Sequence, residues 1–103
     1  MDLEKWRQYN FAFQIGQIGA EVSRARGAEE RKDLRSRDAA IFRALELLDL
    51  SLSDRRWKVR YREIARFREI LCDWLCGTQA YQFSVPWLEN YCTRIVLASQ
   101  ATL

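Results

Sequence analysis

Phe11, Ile15, Ile18, Val22 and Ala25 recur at steps of four, three, four and three. That spacing lines one face of an α-helix and does not fit a strand. The same period returns in Leu34, Ile41, Leu45, Leu48 and Leu52, in Trp57, Tyr61, Ile64, Leu71 and Leu75, and in Leu88, Tyr91, Cys92, Ile95 and Ser99. Four glycines and one proline are few for a β-rich or disordered chain, and an apolar fraction of 49% with 13 aromatic side chains is enough for a bulky core. A length of 103 residues suits one domain, residues 1–103. The expected fold is all-α, an antiparallel up-down-up-down four-helix bundle with short connections.

Punctuation sets the expected boundaries. The first helix is expected over residues 3–26, with Asp2 as N-cap and Gly27 as its stop, and the second over 29–50, with an Asp33–Arg37 pair near its start. SLSD, residues 51–54, reads as a break, with Ser53 or Asp54 capping a third helix over 55–76 that stops at Gly77. Ser84 is expected to cap the fourth, with Pro86 in its first turn and Phe83 and Leu88 at the spacing of a hydrophobic staple.

The first helix carries a second stripe, Trp6, Tyr9, Phe13, Gly16 and Ala20. A helix apolar on two sides is either central or meets another chain. Phe11, Ile15, Ile18 and Val22 are the candidate oligomer interface of a homo-oligomer. Ala12, Gly16, Gly19 and Ala20 are small enough for a neighbouring helix to come close.

The charge is unevenly distributed. Residues 1–54 carry nine basic and ten acidic side chains, residues 55–68 seven and one, and residues 69–103 one and three. The net charge of +3 therefore comes from the third helix alone. Arginine dominates the basic residues, and it binds phosphate through a planar fork. Arg55, Lys58, Arg62 and Arg66 fall on one side of the expected helix, flanked by Arg56 and Arg60. These six are the candidate nucleic-acid-binding residues, contacting RNA or DNA backbone by charge and shape with little base reading. The competing reading is a solvated face paired with neighbouring acids. Arg68 falls in the middle of the apolar sector and needs a carboxylate, with Asp38 and Asp49 as the nearest candidates for a structural ion pair and Glu21 as a third.

Chemistry of other kinds is poorly supplied. There is no histidine to serve as general base or metal ligand, and no glycine-rich phosphate loop. Cys72, Cys76 and Cys92 read as small buried hydrophobes. No enzyme activity, cofactor or metal is expected. No apolar run is long enough for a membrane span, and the charged N-terminus does not read as a signal peptide, so the expected compartment is the cytoplasm.

The runs IGAEVSRARG, RALELLDLSLSD and REIARFREILCDWL resemble those of small prokaryotic helical proteins. In length, basicity and helix count the chain also resembles the 23S ribosomal RNA intervening-sequence proteins and the accessory variability determinants of diversity-generating retroelements. That resemblance implies a basic four-helix bundle acting as an accessory protein on nucleic acid, in the second case as a pentamer beside a reverse transcriptase. It assigns no role to any residue. The alternative function is a protein-interaction module, an adaptor or antitoxin-like subunit with no nucleic-acid contact.

Overall fold

The computed structural model describes residues 1–77 and 81–101, without the side chains of 81–84, 100 and 101. Every regular element among them is helical. Five α-helices run in order: α1 (Leu3–Trp6), α2 (Phe11–Glu30), α3 (Leu34–Leu52), α4 (Tyr61–Cys76) and α5 (Tyr81–Ala101), with a 3-10 turn over Arg55–Arg60 between α3 and α4.

The long first helix expected from the sequence is broken near its start. Asp2 caps α1 as expected, accepting from the Lys5 amide at 2.8 Å, but α1 lasts only one turn. Asn10 then takes an extended backbone and caps α2, its Oδ1 accepting from the Phe13 amide at 2.8 Å. The break lets Trp6 turn inward to a fully buried position. At the other end Gly27 does not stop α2. Helix α2 continues past it, so that Ala28 joins the buried residues. The stop comes at Lys32, whose φ of 62° is left-handed. The Lys32 amide donates to Glu29 O and the Asp33 amide to Ala28 O, both at 2.9 Å. This is the paired bonding of a Schellman end, with lysine where glycine is usual. Asp33 is thereby placed to cap α3, bonding the amide and hydroxyl of Ser36. The expected Asp33–Arg37 pair is replaced: Arg37 bridges Asp38 and Glu29 instead.

Helix α2 packs against both α3 and α5. Gln14 meets Ser51, Glu21 meets Arg43 and Glu29 meets Arg37, so α2 and α3 run antiparallel. Val96 lies beside Gly16, Cys92 beside Gly19 and Glu89 beside Arg26, so α2 and α5 do likewise. A Cβ on Gly19 would lie 2.9 Å from Cys92 Cβ. Glycine is required there by the approach of α5, which is the close neighbour its small size anticipated.

This central position corrects the oligomer-interface reading. Phe11, Ile15, Ile18 and Val22 are all buried within the chain's own core. They pack in one cluster with Ile41, Leu45 and Leu48 of α3, Ile64, Phe67, Leu71 and Trp74 of α4, and Leu88 and Cys92 of α5.

Helix α4 ends at Gly77, with φ at 80°, as the sequence predicts. Its buried face is rotated from the expected one, however. Ile64, Phe67, Ile70, Leu71 and Trp74 are buried, whereas Trp57, Tyr61 and Leu75 are only partly so. Trp57 belongs to the 3-10 turn and does not share the wheel of α4. Helix α5 begins at Tyr81, so Ser84 lies within it rather than capping it, and Pro86 is its sixth residue rather than part of its first turn. The Phe83–Leu88 staple involves a side chain outside the described residues.

Candidate nucleic-acid interface

The basic segment starts as a sharp turn. Asp54 caps the 3-10 turn, accepting from the Arg56 amide at 3.0 Å. Its side chain is 1% exposed. The Arg56 guanidinium closes over it, with Nε 3.1 Å from both carboxylate oxygens and one terminal nitrogen at 2.6 Å from Oδ2. That nitrogen also donates to Tyr9 O at 3.0 Å, and the guanidinium lies 4.4 Å over the Trp57 ring. The paired, hydrogen-bonded guanidinium holds the Asp54 carboxyl below the usual carboxylate range.

Below the turn lies a buried polar network that no sequence pattern announced. Trp6 Nε1 donates to Ser51 Oγ at 2.9 Å, and Ser51 Oγ donates to Gln14 Oε1 at 2.8 Å. Trp57 Nε1 donates to the same Gln14 oxygen at 2.9 Å. Gln14 Nε2 donates to Trp6 O at 2.9 Å and more weakly to Tyr9 O at 3.4 Å. Gln14 and Ser51 are both fully buried. Their polar atoms are satisfied, so the network ties four segments together and leaves no group free to react.

The six candidate binding residues divide into two sets. Arg56 is committed to Asp54. Arg60 reaches Glu63 at 3.4 Å and lies 4.5 Å over the Phe11 ring. Arg66 pairs with Glu69 at 3.2 Å on the surface. Arg55, Lys58 and Arg62 are exposed and have no ion-pair or hydrogen-bond partner among the described residues. Between them Val59 is 92% exposed. Trp6 and Tyr9 anchor the N-terminal segment to this same end, bringing Lys5 and Arg7 with them, but Asp2 and Glu4 come too, so the local net charge is unchanged.

Arg68 does pair with Asp49, at 2.8 Å, but the pair is not buried: the side chains are 43% and 55% exposed. The rotated face of α4 carries Arg68 to its flank. Asp38 takes Arg37 as its partner, and Glu21 takes Arg24 and Arg43. A surface pair of this kind contributes little to stability.

The expected burial of the three cysteines holds for Cys92 alone: Cys72 is partly buried and Cys76, at the end of α4, is exposed. Burial pushes the Cys92 thiol up to about 12, so it stays protonated near neutrality. Among the described residues no three His, Cys, Asp or Glu side chains gather as a metal-binding group. No described helix is long and apolar enough to cross a membrane. No known protein family, curated protein or solved structure matches the chain.

Asp54 gives a prediction about acid. Its folded pKa lies below the unfolded value of about 3.9, so its stabilisation is complete above that value and is lost as pH falls through and below it. Urea midpoints measured between pH 5 and pH 3 should fall more steeply for the wild type than for Asp54→Asn. Asp33, also lowered by its bonds to Ser36, contributes equally to both proteins. Parallel slopes would show that the carboxylate of Asp54 is not linked to folding.

Proposed function

We propose that the chain is a non-enzymatic nucleic-acid-binding protein whose contact surface is the 3-10 turn and the start of α4. The four long helices α2 to α5, as an up-down-up-down bundle, serve as its scaffold. In support of that topology, α2 packs on α3 and α5, and α4 packs on the same two helices.

The observation that carries the functional reading is the set Arg55, Lys58 and Arg62. Three exposed cations, unpaired among the described residues, occupy eight consecutive positions, in the one segment with a large positive balance. Acids do reach the other cations of the segment, so pairing is available there and these three lack it. Phosphates along a backbone would neutralise them without displacing an existing ion pair. Such contacts set position and affinity and carry no sequence information.

Fluorescence anisotropy with labelled oligonucleotides tests this. With about three phosphates neutralised, log affinity should fall with log salt at a slope of about −2.7 for duplex and −2.1 for single strands. Raising salt from about 50 to 200 mM should then weaken binding about 40-fold and 20-fold respectively. Arg55→Gln, Lys58→Gln and Arg62→Gln combined should remove most of the binding and its salt dependence while the helical circular-dichroism signal persists. A wild-type protein that binds no oligonucleotide at low salt would overturn the reading. Exposed Phe42, Trp87 and Leu97 would then favour a protein-binding surface instead.

A further inference from the structure

Beside the basic turn, where the start of α2, the 3-10 turn and the end of α5 meet, is a shallow cleft of about 430 Å³. Phe11, Trp57, Ile95 and Ala98 give it an apolar lining, and Asn10 and Arg60 give it a polar one. Its size falls within the range of clefts that hold a small organic group. We infer that this cleft takes one unpaired base of a single-stranded nucleic acid. The inference rests on the nucleic-acid reading above and deepens it, because it says which form of nucleic acid the surface selects.

Three observations carry it. First, the cleft adjoins the only strongly basic segment of the chain, so an occupant with an apolar flat part and an anionic thread matches both surfaces. Second, the Arg60 guanidinium lies 4.5 Å over the Phe11 ring, and the Arg60 side chain is still 39% exposed. Glu63 and Tyr91 also lie against this guanidinium, and the part of the side chain left exposed is what a base would stack on. Bases stack on arginine planes and aromatic rings without regard to sequence. Third, Asn10 uses its side-chain oxygen to cap α2, which leaves its amide N–H groups to donate to a base edge. A base within a duplex is stacked on both faces and paired at its edge, so it reaches such a cleft only after unpairing.

The test uses the full chain at one fixed salt concentration and four labelled probes of equal length: oligo(dT), oligo(U), an abasic strand with the same phosphates, and a duplex. Oligo(dT), oligo(U) or both should bind about fivefold or more tightly than the abasic strand. The ratio of dT to U distinguishes DNA from RNA as the source of the base. Ala98→Phe, a change at an exposed position, fills the cleft and should bring the ratio of base-bearing to abasic affinity close to one. Arg60→Lys keeps the charge and removes the stacking plane, and should lower the same ratio in a protein of unchanged fold. Equal binding of abasic and base-bearing strands overturns the cleft inference and leaves the charge-based reading standing. So does tighter binding of the duplex, or a ratio that neither variant moves. Failure of every probe to bind overturns both readings.

Discussion

Trp6→Ala should lower the unfolding free energy by about 3–5 kcal/mol, a large share of what a domain of this size possesses. Trp6 is the largest fully buried side chain together with Trp74. Helix α1 is four residues long, far below the length at which a helix holds itself together, so its place on the molecule depends on this anchor. Removing the indole leaves a cavity, takes the N–H donor from Ser51, and frees the segment whose Tyr9 carbonyl accepts from Arg56. Trp6→Phe should recover most of the loss, since it restores much of the buried volume and lacks only the hydrogen bond to Ser51 and the remainder of the indole's volume. Urea unfolding followed by circular dichroism gives the three stabilities. A loss below about 0.5 kcal/mol for the alanine variant, within the range of ordinary surface changes, would show that α1 does not pack as described.

Several parts of this architecture are legible in the sequence, and the rest fail for identifiable reasons. Ile15, Ile18 and Val22 of α2 and Ile41, Leu45 and Leu48 of α3 follow an unbroken 3.6-residue period, and each is buried. Gly77 is a good stop signal because its left-handed backbone suits glycine. Gly27 looks like the same signal and is not, since the chain goes on to bury Ala28 and assigns the left-handed residue to Lys32. A helical wheel drawn through residues 55–76 assumes one continuous α-helix. The 3-10 turn breaks that assumption, and this is why the wheel places Arg68 in the core and the structure places it on the surface.

The basic site shows the same division. Its location is legible because charge is a property of composition. Which of its cations remain unpaired is not, because Arg56 finds Asp54 only through the geometry of a cap two residues long. The oligomer-interface expectation failed for a packing reason. Two apolar stripes on one helix are compatible with a central position or an external partner, and the antiparallel contacts of α2 with both α3 and α5 settle which holds for Phe11, Ile15, Ile18 and Val22.

Gln14→Leu should cost about 2–4 kcal/mol although it puts an apolar residue of similar size into a fully buried site. Hydrophobicity favours the change, but the partners decide the outcome. Gln14 accepts from Ser51 and Trp57 and donates to the carbonyls of Trp6 and Tyr9. Leucine can replace none of these bonds, and each buried group left unpaired costs about 1–3 kcal/mol, reduced where water can reach it. The Trp57 bond is the more exposed one and should recover water, whereas Ser51 and the Trp6 carbonyl lie deeper. Because Ser51 and Gln14 share a bond, their effects should not add. Ser51→Ala should cost less in the Gln14→Leu background than in the wild type, by about 0.5 kcal/mol or more. The network also seats Trp57, and with it the turn that presents Arg55 and Lys58, so Gln14→Leu should weaken oligonucleotide binding even in protein that remains folded. Additive stabilities in the double-mutant cycle would mean that the polar groups act independently. Unchanged binding in a folded Gln14→Leu protein would mean that the turn keeps its shape without them.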